Sequence, residues 1–107
     1  MLARITTYVP KTEKKEELVT LLKKEVLPML KKQNGFLEIL PLIPETKTEK
    51  FMTITLWTDR KDVERYEMNT LPKIEEVLKP YLLGTMTTTE YVVETTLCEH
   101  FVAALVA

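Results

Sequence analysis

Two stretches with helical apolar spacing alternate with four stretches rich in β-branched residues. The order is β-α-β-β-α-β, and it predicts an α+β fold. Three local signals pin it: Asn34-Gly35-Phe36 after the first helix, Leu56-Trp57-Thr58-Asp59 at the end of the third strand, and Leu78-Lys79-Pro80-Tyr81-Leu82 closing the second helix. That order is the ferredoxin-like, split βαβ sandwich, an antiparallel four-stranded sheet with both helices on one face.

Leu2 to Val9 reads as strand one, and Pro10 ends it. Thr12 is the expected N-cap of helix one, with Glu13, Glu16 and Glu17 placed where the helix dipole favours negative charge. Leu18, Leu22, Val26 and Leu30 then form one apolar stripe at i, i+4 spacing. Burying each contributes about 1.5–3 kcal/mol before entropy is counted. Lys23, Lys24, Lys31 and Lys32 fall on the solvent side. Pro28 interrupts the stripe, and its missing N–H predicts a kink or break near Lys24.

Gly35 supplies the left-handed C-cap of helix one. Phe36 to Leu42 is strand two. Pro41 and Pro44 cannot donate to a ladder, so this strand belongs at a sheet edge. Glu45 to Lys50 is a polar hairpin loop. Phe51 to Thr58 is the clearest strand, with bulk on both faces. Asp59 is the N-cap of helix two, with Asp62 in the position of a capping-box partner. The stripe Val63, Tyr66, Ile74, Val77, Leu78, Tyr81 stutters at Asn69-Thr70, where Pro72 suits a restarted first turn. Gly84 is read as a break, followed by strand four over Thr85 to Thr96.

With 107 residues, 45% of them hydrophobic and 29% charged, the chain is read as one domain over residues 1–96 plus an apolar extension over 97–107. The extension ends in Phe101-Val102-Ala103-Ala104-Leu105-Val106-Ala107, which needs cover, and a subunit interface is the preferred one. A net charge of −1 offers no field for nucleic acid or a membrane surface. No apolar run approaches the roughly 20 residues that span a bilayer. No secretion signal is evident, and the lone Cys98 suits a reducing cytoplasm. One histidine and no carboxylate cluster at ligand spacing predict no metal site. Strands with apolar residues on both faces, and helices for only one, imply a second copy over the open face: a homodimer forming an α+β barrel.

At this point the chain resembles the antibiotic biosynthesis monooxygenase (ABM) domain family of the dimeric α+β barrel superfamily. The resemblance spans roughly residues 2–96. It is carried by Gln33-Asn34-Gly35-Phe36, by the run from Ile54 through Trp57-Thr58-Asp59-Arg60-Lys61-Asp62-Val63-Glu64-Arg65-Tyr66 to Glu67, by Leu78-Lys79-Pro80-Tyr81-Leu82 and by Glu90-Tyr91-Val92-Val93. The resemblance implies a cofactor-independent monooxygenase-like protein acting on a small aromatic or quinone-type compound. Such an oxygenase holds no cofactor, neither metal nor flavin. It needs a dry pocket, a group that takes a proton and donors for an oxyanion. The alternative is a non-catalytic, small-ligand-binding or stress-associated dimer of the same fold.

The resemblance puts the pocket between sheet and helices, lined by Tyr8, Trp57 and Tyr66. Each has a structural reading too. Trp57 serves as a plug seating helix two, its indole N–H bonded to backbone. Tyr66 and His100 are the candidates for catalysis. His100 is the only histidine, but it lies beyond the matching segments, where a surface position is the preferred reading and a catalytic one requires the tail to fold over a pocket. Haem-degrading members use an asparagine on strand one, a tryptophan on helix two and a histidine ligand. The corresponding positions here hold Thr6 and Thr7, Tyr66 and Glu76, a poor set for haem. The strand threonines Thr53, Thr55, Thr85, Thr87, Thr88 and Thr89 offer hydroxyls to a polar ligand, though β propensity alone accounts for them.

Overall fold

The computed structural model describes residues 1–46 and 50–98. Four antiparallel strands, β1 (Leu2–Pro10), β2 (Phe36–Leu42), β3 (Phe51–Trp57) and β4 (Leu82–Val92), form one sheet in the order β2-β3-β1-β4. The first connection holds α1 (Lys15–Leu21), a π-helical turn over Leu22–Val26 and α2 (Leu27–Lys31). The second holds α3 (Arg60–Asn69) and α4 (Leu71–Leu78). This is the ferredoxin-like arrangement that the element order predicts. With prolines 41 and 44, β2 is an edge strand, as its missing donors require.

Antiparallel register sorts the side chains. Leu2, Arg4, Thr6 and Tyr8 of β1 stand opposite Trp57, Thr55, Thr53 and Phe51 of β3. Pairing places these eight on one face. Leu2, Tyr8, Phe51 and Trp57 join Leu18, Val26, Leu30, Val63, Tyr66, Ile74 and Leu78 of the helical segments in one core, so this is the helix-covered face. The other face carries Ile5, Met52, Ile54, Leu40, Leu42 and Tyr91, of which Leu40, Leu42 and Tyr91 are exposed.

The interruption expected at Pro28 is a π-helical turn rather than a sharp break. Pro28 offers no N–H to the carbonyl four residues back, and the extra residue per turn over Leu22–Val26 absorbs the mismatch. The stutter at Asn69-Thr70 is real: α3 stops at Asn69, and Pro72 lies in the first turn of α4. Asp59 caps α3, its Oδ1 accepting from the Asp62 N–H at 3.1 Å. The Asp62 carboxylate turns to Arg65 at 3.4 Å.

Two expectations need correction. Thr12 does not cap helix one. It lies inside a 3-10 turn over Thr12–Lys14, because Lys11 is tied to the carbonyl of Tyr81 at 2.8 Å and the chain tightens there before α1 begins. Strand four begins at Leu82 and ends at Val92, so Gly84 lies within it instead of breaking the chain. The β1–β4 register slips between Thr7 and Val9, opposite Leu83–Thr87. Gly84, at φ +77°, supplies the left-handed residue of that bulge.

Candidate functional site

The space between helices and sheet is divided into two chambers. The outer one measures about 260 Å³ and is walled mainly by apolar side chains, with Val19, Leu27, Pro41, Ile43 and Phe51 among them and Lys23 at the rim. The inner one, so named because it reaches the buried Arg4, measures about 90 Å³ and mixes Val26, Leu30, Ile74 and Leu78 with Arg4, Thr6, Thr55 and Tyr66, and with Glu75 and Thr88 where it meets solvent. Tyr8, Leu22, Ile39 and Thr53 border both. The Tyr8 hydroxyl and Thr53 Oγ1 lie 2.9 Å apart across that boundary.

Strand alternation delivers the polar groups. Thr6, Arg4 and Tyr8 project from β1 on the covered face, while Thr53 and Thr55 do so from β3. Thr88, opposite Thr6 on β4, brings its hydroxyl to 3.0 Å from Thr6 Oγ1. The π-helical turn matters here as well. It begins at Leu22 and ends at Val26, and both line the chambers, so the Pro28 irregularity shapes the wall.

Both tyrosines are buried, and their phenols respond. Burial raises Tyr8 above the ordinary value of 10.0, the Thr53 hydrogen bond opposing the rise. Burial likewise raises Tyr66, against the pull of the Arg4 charge. Both are therefore neutral hydroxyls near neutral pH, suited to donate hydrogen bonds and poorly suited to accept a proton as anions.

Trp57 is placed differently from the sequence expectation. It is fully buried behind the chamber wall and does not line it. Its ring sits 5.5 Å from that of Phe36 and 4.7 Å from that of Tyr66. Its indole N–H donates to Thr55 Oγ1 at 2.9 Å, not to backbone, because a same-face neighbour two residues away on the strand offers the nearer acceptor. Trp57 thus fixes Tyr66 from behind. His100 and Phe101 to Ala107 lie outside the described residues.

Arg4 is the residue that sequence reasoning passed over. It is 3% exposed, and its guanidinium carbon lies 5.2 Å from the centroid of the Tyr66 ring. A signal existed. In the alternation Leu2, Arg4, Thr6, Tyr8 a full charge occupies the same face as two large core side chains. The haem-like positions fall apart in space: Thr6 lines the inner chamber, Thr7 pairs with Met52 on the opposite sheet face, and Glu76 is exposed outside both chambers.

A family model described as antibiotic biosynthesis monooxygenase matches residues 1–70, well over half of the chain. The chain belongs to the antibiotic biosynthesis monooxygenase family. Of the segments that carry the resemblance, those around Trp57 and Gly35 fall within the match, while Leu78 to Leu82 and Glu90 to Val93 lie past it.

Solved structures agree with this ABM assignment at the level of fold. SnoaB, a cofactor-independent oxygenase from Streptomyces nogalater, is 15% identical with a TM-score of 0.68, the match covering 87% of this chain and 92% of that one. The heme-degrader MhuD from Mycobacterium tuberculosis, solved with two hemes in its active site, is 16% identical with a TM-score of 0.72, covering 88% and 96%. A protein of unknown function from Nitrosomonas europaea is 13% identical with a TM-score of 0.72, covering 87% and 88%. No curated protein is significantly similar to the chain. No helix among the described residues is long and apolar enough to cross a membrane.

Proposed function

We propose that this ABM-family protein is a cofactor-independent monooxygenase-like enzyme acting on a small aromatic or quinone-type compound held in the two chambers. The observation that carries the reading is the pair of adjoining chambers that share Tyr8, Leu22, Ile39 and Thr53, with Tyr66 in the wall of one of them, in a chain matched by the family model. An electron-rich ring that has lost a proton passes an electron pair to dioxygen. A peroxide forms at the ring carbon, and loss of water leaves a carbonyl. The protein's share is to exclude water, orient the ring and donate hydrogen bonds to the developing oxyanion. Tyr8, Tyr66 and the threonine hydroxyls are the donors. His100 remains a candidate proton acceptor on its sequence alone.

The working unit is proposed to be a homodimer, with the apolar face of the sheet turned to a second copy and residues 97–107 packed at that interface. The single Cys98 fits a cytoplasmic setting.

A second reading has its own support. Both buried phenols are raised away from neutrality, and no histidine lines either chamber among the described residues. A protein so equipped suits ligand holding without turnover. Oxygen uptake with anthrone-like and hydroquinone compounds separates the two. Consumption of one oxygen molecule per substrate supports the enzyme. Tight binding without uptake rejects it in favour of a carrier.

A further inference from the structure

Arg4 is the only charged side chain that is fully buried among the described residues. Its own contacts leave it underused. Glu67 approaches at 3.6 Å and Glu90 at 3.7 Å, both longer than a hydrogen bond. Glu90 is held more closely by Arg60, at 3.0 Å. Arg4 Nε is without a hydrogen-bond partner among the described residues. A guanidinium carries five N–H donors in a fixed fork, and leaving even one of them buried and unmatched is costly.

Charge placement follows burial. The Arg4 side chain is 4% exposed, against 38% for Glu67 and 25% for Glu90. Glu75 belongs to the lining but is exposed, and Lys23 stands at the outer rim. The carboxylates therefore face partly into water, which screens them, while the guanidinium faces low dielectric. Of the charges at the inner chamber, the Arg4 guanidinium is the one most withdrawn from water.

Volume sets the orientation of an occupant. A dry cavity of about 150 Å³ accepts benzene. The inner chamber, at about 90 Å³, is too small for a ring but admits an oxygen substituent and a ring edge. The outer chamber, at about 260 Å³, holds more than one ring.

We propose that Arg4 is an anion-binding residue that takes the ionised oxygen of an acidic phenol, whose apolar body lies past the Tyr8–Thr53 pair in the outer chamber. This deepens the reading above, since it rests on the same cavity, and it names the ligand as an anion at its inner end. Tyr66, beside the guanidinium and fixed by Trp57, adds a neutral donor to the same oxygen.

The test uses para-nitrophenol, whose phenolate alone is yellow, titrated over pH with excess full-length protein. Para-nitroanisole serves as the ring without an acidic proton. The expected result is that the phenolate binds at least about tenfold more tightly than the phenol, which lowers the dye's apparent pKa by about one unit. Arg4→Met abolishes that preference, and Arg4→Lys keeps part of it. Should Arg4→Met fail to fold with Glu67 left unpaired, Arg4→Met combined with Glu67→Gln takes its place. Equal binding of phenol and phenolate by the wild type, binding of para-nitroanisole as tight as that of the phenolate, or no binding of the dye at all overturns the proposal, with or without any variant. None of these readouts involves oxygen. Failure of the oxygenase reading leaves an Arg4 effect standing, and turnover indifferent to Arg4→Met removes the Arg4 role alone.

Discussion

Trp57 has the clearest single role at the scale of residues. It is fully buried, it stacks on Tyr66 and Phe36, and its one donor is satisfied by Thr55. Trp57→Phe leaves a void and an unmatched Thr55 hydroxyl, so a loss of about 1–3 kcal/mol is expected in chemical denaturation. Ligand affinity should change little, because the indole stands behind the wall; a variant of normal stability with weakened binding would put it in the site. The buried phenols give a pH signature. Their folded pKa values lie above the ordinary 10.0, so the unfolded chain loses these protons first as pH rises. Their contribution is complete below that value and declines above it, until the folded phenols also ionise. Urea midpoints should therefore fall on the alkaline side, and more shallowly in Tyr8→Phe; equal slopes would mean that Tyr8 titrates as if exposed.

Two glycines separate conformational from steric cost at the scale of elements. Gly35 ends the first helical segment at φ +79°, and an added Cβ would overlap the Asp62 carboxylate and come within 2.6 Å of Asp62 Cβ. Gly84 has φ +77° in the β4 bulge, with nothing within 4 Å of an added Cβ. Gly84→Ala should cost about 1–2 kcal/mol, the left-handed conformation alone. Gly35→Ala should cost clearly more, because α3 must shift away through Asp62. Thermal melts of the pair check this, and equal losses would show that Asp62 yields freely. Gly35 was legible as a cap from Asn34-Gly35-Phe36. Gly84 was misread as a break, since a glycine in a bulge and a glycine in a loop look alike until the partner strand is known.

The whole molecule presents an unbalanced sheet. Its covered face packs against four helical segments, while Ile5, Ile54 and Leu40 line up in register across three strands on the other. Residues of this kind on one open face favour a second copy. Ile54→Lys places a charge at the centre of that face and should convert a dimer to a monomer in sedimentation without unfolding the subunit. Unchanged sedimentation would assign the interface elsewhere.

The amino-acid order alone determined the β-α-β-β-α-β layout, the edge position of β2, the Asp59 cap and the restart at Pro72. Each of these rests on contacts between residues near in the chain, where period, proline and glycine act directly. Helix one kept its apolar stripe but not its Thr12 cap, since a carbonyl from Tyr81, far along the chain, holds Lys11. Of the residues that the sequence offered for a pocket, Tyr8 and Tyr66 line the chambers. Trp57 went behind the wall and Arg4 came into it, and tertiary packing decided both. Whether a strand residue meets a chamber, a neighbour or water depends on which face the helices cover and where their irregular turns lie. That is a property of elements distant in sequence, so no local pattern could contain it.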